Sequence, residues 1–149
     1  MCELEDYSIS SVSSVDGTLK IDAVFSKENE AVSQGENQIL KIGGLFRGYF
    51  ESLDKNRILP FSTQVAEECN ETIEIINKNS STIAVDIKSS DISNALLKTE
   101  TEKSQSDSSV VITRNTAVYA VNLDAAAFRS IYSDVEHTNN IRHSMVIFK

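Results

Sequence analysis

The chain has 149 residues, 40% of them hydrophobic, no Trp, and a formal charge of −8. A chain of this size makes one ordinary domain and buries about two thirds of the surface its unfolded form exposes, so it folds without a disulfide framework or a structural metal. The acidic balance opposes binding to nucleic-acid phosphates, and no stretch has the length of a membrane-spanning helix.

The opening residues, MCELEDYSIS, are polar and acidic. They read as an N-terminal arm, Met1–Ser14, and not as a signal peptide. Leu19, Ile21, Ala23 and Phe25 alternate with Lys20 and Asp22, the period of a half-buried strand. Lys27–Asn37 has turn residues and little apolar content, and reads as a loop. The run ILKIGGLFRGYF, Ile39 to Phe50, is apolar but interrupted by Gly43, Gly44 and Gly48. It predicts one bent strand or two short ones, because glycine inside a strand marks a bulge or a close approach. A turn at Leu53–Arg57 leads to Ile58–Phe61, which Pro60 demotes to an edge.

Ser62–Asn70 has room for one helical turn. Ile73 and Ile75, and then Ile83, Val85 and Ile87, alternate as strands. Asp91 is placed to cap a short helix to about Lys98. Lys98–Ser109 is polar without periodicity and reads as a loop. Ala117 to Leu123 and Ile141 to Phe148 alternate again. Asp124 before three alanines is a second capping signal, but Phe128–Val135 also reads as a strand after a single turn. Eight or nine strands with one or two short helices predict an all-β or β-dominated α+β domain spanning 1–149. The expected architecture is an antiparallel β-sandwich, jelly-roll-like.

Groups for chemistry are sparse. Two histidines, His137 in a polar turn and His143 on the last strand, accompany no Gly-x-Ser-x-Gly elbow. Gly43-Gly44-Leu45-Phe46-Arg47-Gly48 lacks the glycine spacing and following helix of a dinucleotide loop. Cys2, Cys69 and the histidines have no zinc-module spacing, and Glu67, Glu68, Glu71 and Glu74 follow no EF-hand order. The expectation is therefore no enzyme, no catalytic residue, no cofactor and no metal. Two free thiols are the plain reading of the cysteines. The sharper one is a Cys2 cross-link to a neighbouring subunit.

The strand pattern Val110-Val111-Ile112-Thr113, a turn at Asn115-Thr116, then Ala117–Leu123, Phe128–Val135 and Ile141–Phe148 resembles the closing meander of sandwich subunits in bacterial surface fibres and phage particles. That resemblance implies a structural subunit at a virion or cell surface. The charge is also segregated: residues 1–40 hold eight acids and two bases, while 41–62 hold two acids and four bases. An acidic face of one copy is thus suited to a basic patch on its neighbour. The candidate contacts are Cys2, Tyr7 and Ile9 in the arm, and Lys41, Arg47, Lys55 and Arg57 in the basic segment. The expected partners are copies of the chain or neighbouring structural subunits, without nucleic acid, membrane span or small-molecule substrate. The alternative is a cytoplasmic acidic binding module, such as an immunity protein, inhibitor or chaperone. A hydrolase would instead reveal itself by a cleft with two carboxylates of displaced pKa, or by His143 facing a carboxylate-lined cavity.

Overall fold

The computed structural model describes residues 2–13, 18–27, 31–77, 82–88 and 91–149, with side chains described for 4–9 and from Ala31 onward within those ranges. It is strand-dominated, with antiparallel sheets, one α-helix and no closed barrel. It divides into two compact units, Met1–Val32 and Ser33–Lys149.

The first unit is a hairpin of β1 (Cys2–Ser13) and β2 (Thr18–Lys27). The segment expected to be an arm is thus a paired strand. In the rest of the chain, β3 (Ala31–Gln34) turns through Gly35 into β4 (Asn37–Lys41). Gly35 has φ +63°, the left-handed backbone that a tight hairpin turn requires. Next come β5 (Phe61–Thr63), β6 (Glu67–Ile76), β7 (Ile83–Asp86), β8 (Ile92–Ser93), β9 (Leu97–Gln105), β10 (Ser109–Val118) and β11 (Val121–Leu123). Helix α1 (Ala125–Asn139) and β12 (Met145–Phe148) complete the chain. One sheet has the order β6–β10–β9–β8 and another β3–β4–β12–β7, while β5 pairs only with β11.

Two apolar clusters hold these elements together. Ile75, Val110 and Ile112 of the first sheet pack with Ile83 and Val146 of the second, and with Ile42, Phe46 and Ile141. This is the sandwich core, and each such aliphatic side chain contributes roughly 1.5–3 kcal/mol by leaving water. The other cluster joins Leu96, Leu97 and Val118 to Phe128 and Val135 of α1, with Tyr49 and Phe61.

Several expected elements take another form, each for a local reason. Phe128–Val135 is helical. Asp124 accepts from the amides of Ala126 and Ala127 at 2.9 and 2.8 Å, and Phe128, Ile131, Tyr132 and Val135 form a helical stripe on the second cluster. Asp91 caps no helix; it accepts from the Thr101 amide at 2.9 Å. Asn94 Oδ1 takes the amides of Leu96 and Leu97, and this side-chain turn closes the β8–β9 hairpin. The polar run after Lys98 is strand through Gln105, because β10 pairs with it residue by residue. Asn115 and Thr116 lie inside β10, so the expected turn and closing meander are absent. Ser62–Asn70 carries the end of β5 and the start of β6, with no helical turn, and the loop Lys27–Asn37 contains β3. Ile39–Phe50 is strand only to Lys41.

Gly43–Leu45 and Asn140–His143 are 3-10 turns that pack on each other. A Cβ on Gly43 would fall inside the Arg142 carbonyl, whereas one on Gly44 would meet nothing within 4 Å. Gly43→Ala is therefore expected to destabilise by roughly 2–4 kcal/mol, lowering Tm by about 4–16 °C. Gly44→Ala is expected to stay within about 0.5 kcal/mol of the parent. Equal thermal melts for the two variants would show that the turns do not pack this way.

Candidate functional site

The inward face of β10 reads Val110, Ile112, Arg114, Thr116, Val118, and all five are buried. Arg114 therefore lies between the two apolar clusters. Its guanidinium is wholly buried, and donates to the Arg47 carbonyl at 2.8 Å and the Thr138 carbonyl at 2.9 Å. A longer bond reaches Thr99 Oγ1 at 3.4 Å, and Glu71 Oε2 lies 3.8 Å from Nη1. Burial holds the Arg114 pKa below the ordinary arginine value, with the Glu71 carboxylate acting in opposition.

Around this centre, Glu71 Oε1 accepts the Arg47 amide at 2.7 Å, and Arg47 pairs with Glu67 at 3.0 Å. The Tyr49 ring lies under both guanidiniums, at 5.1 Å from Arg47 and 5.5 Å from Arg114. Tyr49 is buried and its hydroxyl has no well-formed hydrogen bond, although the Cys69 thiol is beside it. Burial, then that thiol, push the Tyr49 hydroxyl up to about 12.

Residues 46–60 leave this centre as a long loop over α1. Asn139 clamps Tyr49 by accepting its amide at 2.9 Å and donating to its carbonyl at 2.7 Å. Phe50 has φ +55°, a strained backbone for an aromatic residue, and its ring meets Phe61 edge-on at 5.6 Å. Tyr132 donates to the Leu53 carbonyl at 3.0 Å and Arg129 to that of Arg57 at 3.2 Å. Arg57 turns back to the carbonyls of Leu59 and Pro60 and lies over the rings of Phe61 and Phe128.

Between loop and helix runs an open cleft of about 560 Å³, floored by Phe50 and Val135. His143 lines it, from the 3-10 turn and not from a strand, together with Glu51 and Glu136. The arrangement expected of a hydrolase is thus met in outline. Its polar groups are largely engaged, however. Glu51 is paired with Arg142, the Tyr132 hydroxyl holds Leu53, and the Asn139 amide holds Tyr49. No Ser, Thr, Cys or Lys lines the cleft to act as a nucleophile. Glu136, Asn140 and His143 are its remaining polar side chains, all exposed. His137 lies in the last turn of α1, exposed and outside the cleft lining.

The candidate contact residues fall in two places. Tyr7 and Ile9 are 62% and 56% exposed on β1, with Leu4 at 50% beside them, a residue that the sequence reading passed over. Cys2 opens β1, and its side chain lies outside the described residues. Lys41 and Lys55 are exposed. Arg47 and Arg57, by contrast, are bound into their own chain, so the basic segment does not form one free patch. Among the described residues, no group of acids, histidines and cysteines has the arrangement of a metal site, and no helix is long and apolar enough to cross a membrane.

The opposite face of the β6–β10–β9 sheet is open and acidic. Its rows run Glu68–Ala117–Lys98, Asn70–Asn115–Glu100, Thr72–Thr113–Glu102 and Glu74–Val111–Ser104. Small residues of β10 floor a trough between longer side chains. Among the described residues Lys98–Glu100, at 2.8 Å, is the ion pair on this face.

An unfolded tyrosine titrates near 10, so between about pH 10 and 12 the folded chain holds the Tyr49 proton more tightly than the unfolded one. This contribution is whole below about pH 10 and is lost as pH rises through about 12. Tyr49→Phe is expected to flatten that part of the alkaline fall in stability, and to remove a late-titrating tyrosine from the ultraviolet difference spectrum. Unchanged profiles would place the Tyr49 hydroxyl in water. No family model, curated protein or solved structure matches the chain.

Proposed function

We propose that this protein is a non-enzymatic assembly subunit, of a phage particle or surface fibre, acting through β-strand surfaces. The carrying observation is the N-terminal hairpin. It forms a compact unit of its own and leaves Leu4, Tyr7 and Ile9 uncovered. A two-stranded hairpin is marginal in water without a further layer, and in an assembly a neighbouring subunit supplies that layer. The cleft beside α1 supports this reading more than catalysis, because its side chains serve to dock the loop. Sedimentation velocity over a concentration series is expected to show species larger than one chain. A strict monomer at the highest concentrations would overturn the proposal.

A second reading, an acidic module that captures a basic partner, is favoured by the open sheet face. Glu68, Glu74 and Glu102 have no ion-pair partner there among the described residues. On this reading a labelled oligolysine peptide binds at low salt, and binding falls at least tenfold by about 0.3 M salt. Replacing Glu68, Glu100 and Glu102 together by Gln is expected to abolish it. Binding that survives the triple replacement would remove the trough as the site.

A further inference from the structure

The phase of the backbone hydrogen bonds shows which groups of β6 are already used. Ser106 donates to the Ser109 carbonyl at 2.8 Å, closing the β9–β10 hairpin, and Asn77 donates to the Ser108 carbonyl at 2.8 Å. Hydrogen-bonded pairs alternate along an antiparallel ladder. Ile75, Ile73, Glu71, Cys69 and Glu67 therefore bond to β10, opposite Val110, Ile112, Arg114, Thr116 and Val118. The amides and carbonyls of Glu68, Asn70, Thr72, Glu74 and Ile76 point the other way, where no strand among the described residues pairs with them. All five residues are exposed.

An edge of this length is ordinarily blunted by proline, lysine or a bulge. Here Glu67–Ile76 contains no Pro or Lys, and its register with β10 is unbroken. The charge on the edge is wholly acidic. Glu67 and Glu71, on the inner face, are met by Arg47 and Arg114. Glu68 and Glu74, on the outer face, have no such counter-charge among the described residues. At the Glu68 end a shallow cavity of about 270 Å³ opens between Ala66, Glu68, Ala117 and Tyr119.

We infer that β6 receives an extended basic segment of another protein, added antiparallel as a fifth strand of this sheet. The inference rests on the acidic-module reading above and gives its partner a conformation and a charge spacing. Antiparallel pairing is the kind that β6, β9 and β10 already make, and it is the more stable per residue. Each outward-facing residue of β6 then stands directly opposite one residue of the incoming strand. Glu68 and Glu74 are six positions apart, so the strand carries basic residues at that spacing, both on one face. The base opposite Glu68 has room for its alkyl stem in the cavity beside the Tyr119 ring. A second copy of β6 does not fit the role, since it brings four acids and no base.

Fluorescence anisotropy of a labelled, capped nine-residue threonine peptide tests this on the full chain. Valine at its first position and lysines at its third and last set it against Ile76, Glu74 and Glu68. At low salt it is expected to bind at least tenfold more tightly than the same peptide with lysines five positions apart, whose charges fall on opposite faces. N-methylation at its fifth and seventh residues, which face Thr72 and Asn70, is expected to weaken binding at least tenfold. N-methylation at its fourth and sixth, whose amides point away from β6, leaves binding within about twofold. Glu68→Gln combined with Glu74→Gln removes the preference for the six-residue spacing. Equal binding of the two lysine spacings would overturn the added strand while leaving charge capture by the trough. So would binding that is insensitive to methylation, or that loses as much or more from the fourth and sixth positions. Failure of both this peptide and oligolysine to bind at low salt would overturn the acidic-module reading as well.

Discussion

The second unit is organised by one buried cation. Arg114 stands on the central strand β10 where a sandwich would ordinarily place another aliphatic residue, and it divides the interior into two apolar clusters. A wholly buried guanidinium is tolerable only when its donors are occupied and a counter-charge is near. The donors reach the Arg47 carbonyl at the start of the long loop and the Thr138 carbonyl in the last turn of α1, and Glu71 of β6 supplies the charge. Sheet, loop and helix end therefore meet at one side chain. Lysine is a poor substitute, since its ammonium lacks the planar fork that sets Nη1 and Nη2 on two separate carbonyls.

The loop and the cleft follow from that junction. Once Arg47 is fixed at Arg114, the chain must reach β5 across the side of α1. Asn139 clamps Tyr49 on the way, and the chain reverses at Phe50 in a left-handed conformation that ring packing on Phe61 offsets. The cleft is the space left where this loop lies against the helix. Its Tyr132 and Asn139 side chains hold the loop, and Glu51 is paired with Arg142. His143 and Glu136 share its rim, and its lining contains no Ser, Thr, Cys or Lys.

Much of the β-character was legible in the sequence because period two is a local signal. Leu19 to Phe25 and Ile83 to Ile87 show it without reference to any partner. Two kinds of element were hidden. The strand β9 is polar along most of its length, and only its pairing with β10 makes it a strand; no window of KTETEKSQ carries that information. The helix was announced by Asp124 and the alanines, but Phe128–Val135 satisfies both periods, and the second apolar cluster decided between them. Tyr7 and Ile9 were readable as apolar residues in a polar segment, and both are exposed on β1. Arg47 and Arg57 were misleading: sequence shows a charge but not whether a carbonyl, a carboxylate or a ring lies within its reach. The Arg114 junction was invisible because its partners are 67 and 24 residues away.

One sheet edge bears on how an assembly would end. Strand β6 is a ten-residue edge, long enough to template another strand. It bears Glu67, Glu68, Glu71 and Glu74, so an antiparallel copy would set acid near acid along the ladder. That edge resists pairing with itself and so blocks the open-ended strand addition that leads to aggregates. The open face beside that edge is acidic as well, and its charge is complementary to a basic surface and not to a second copy of itself.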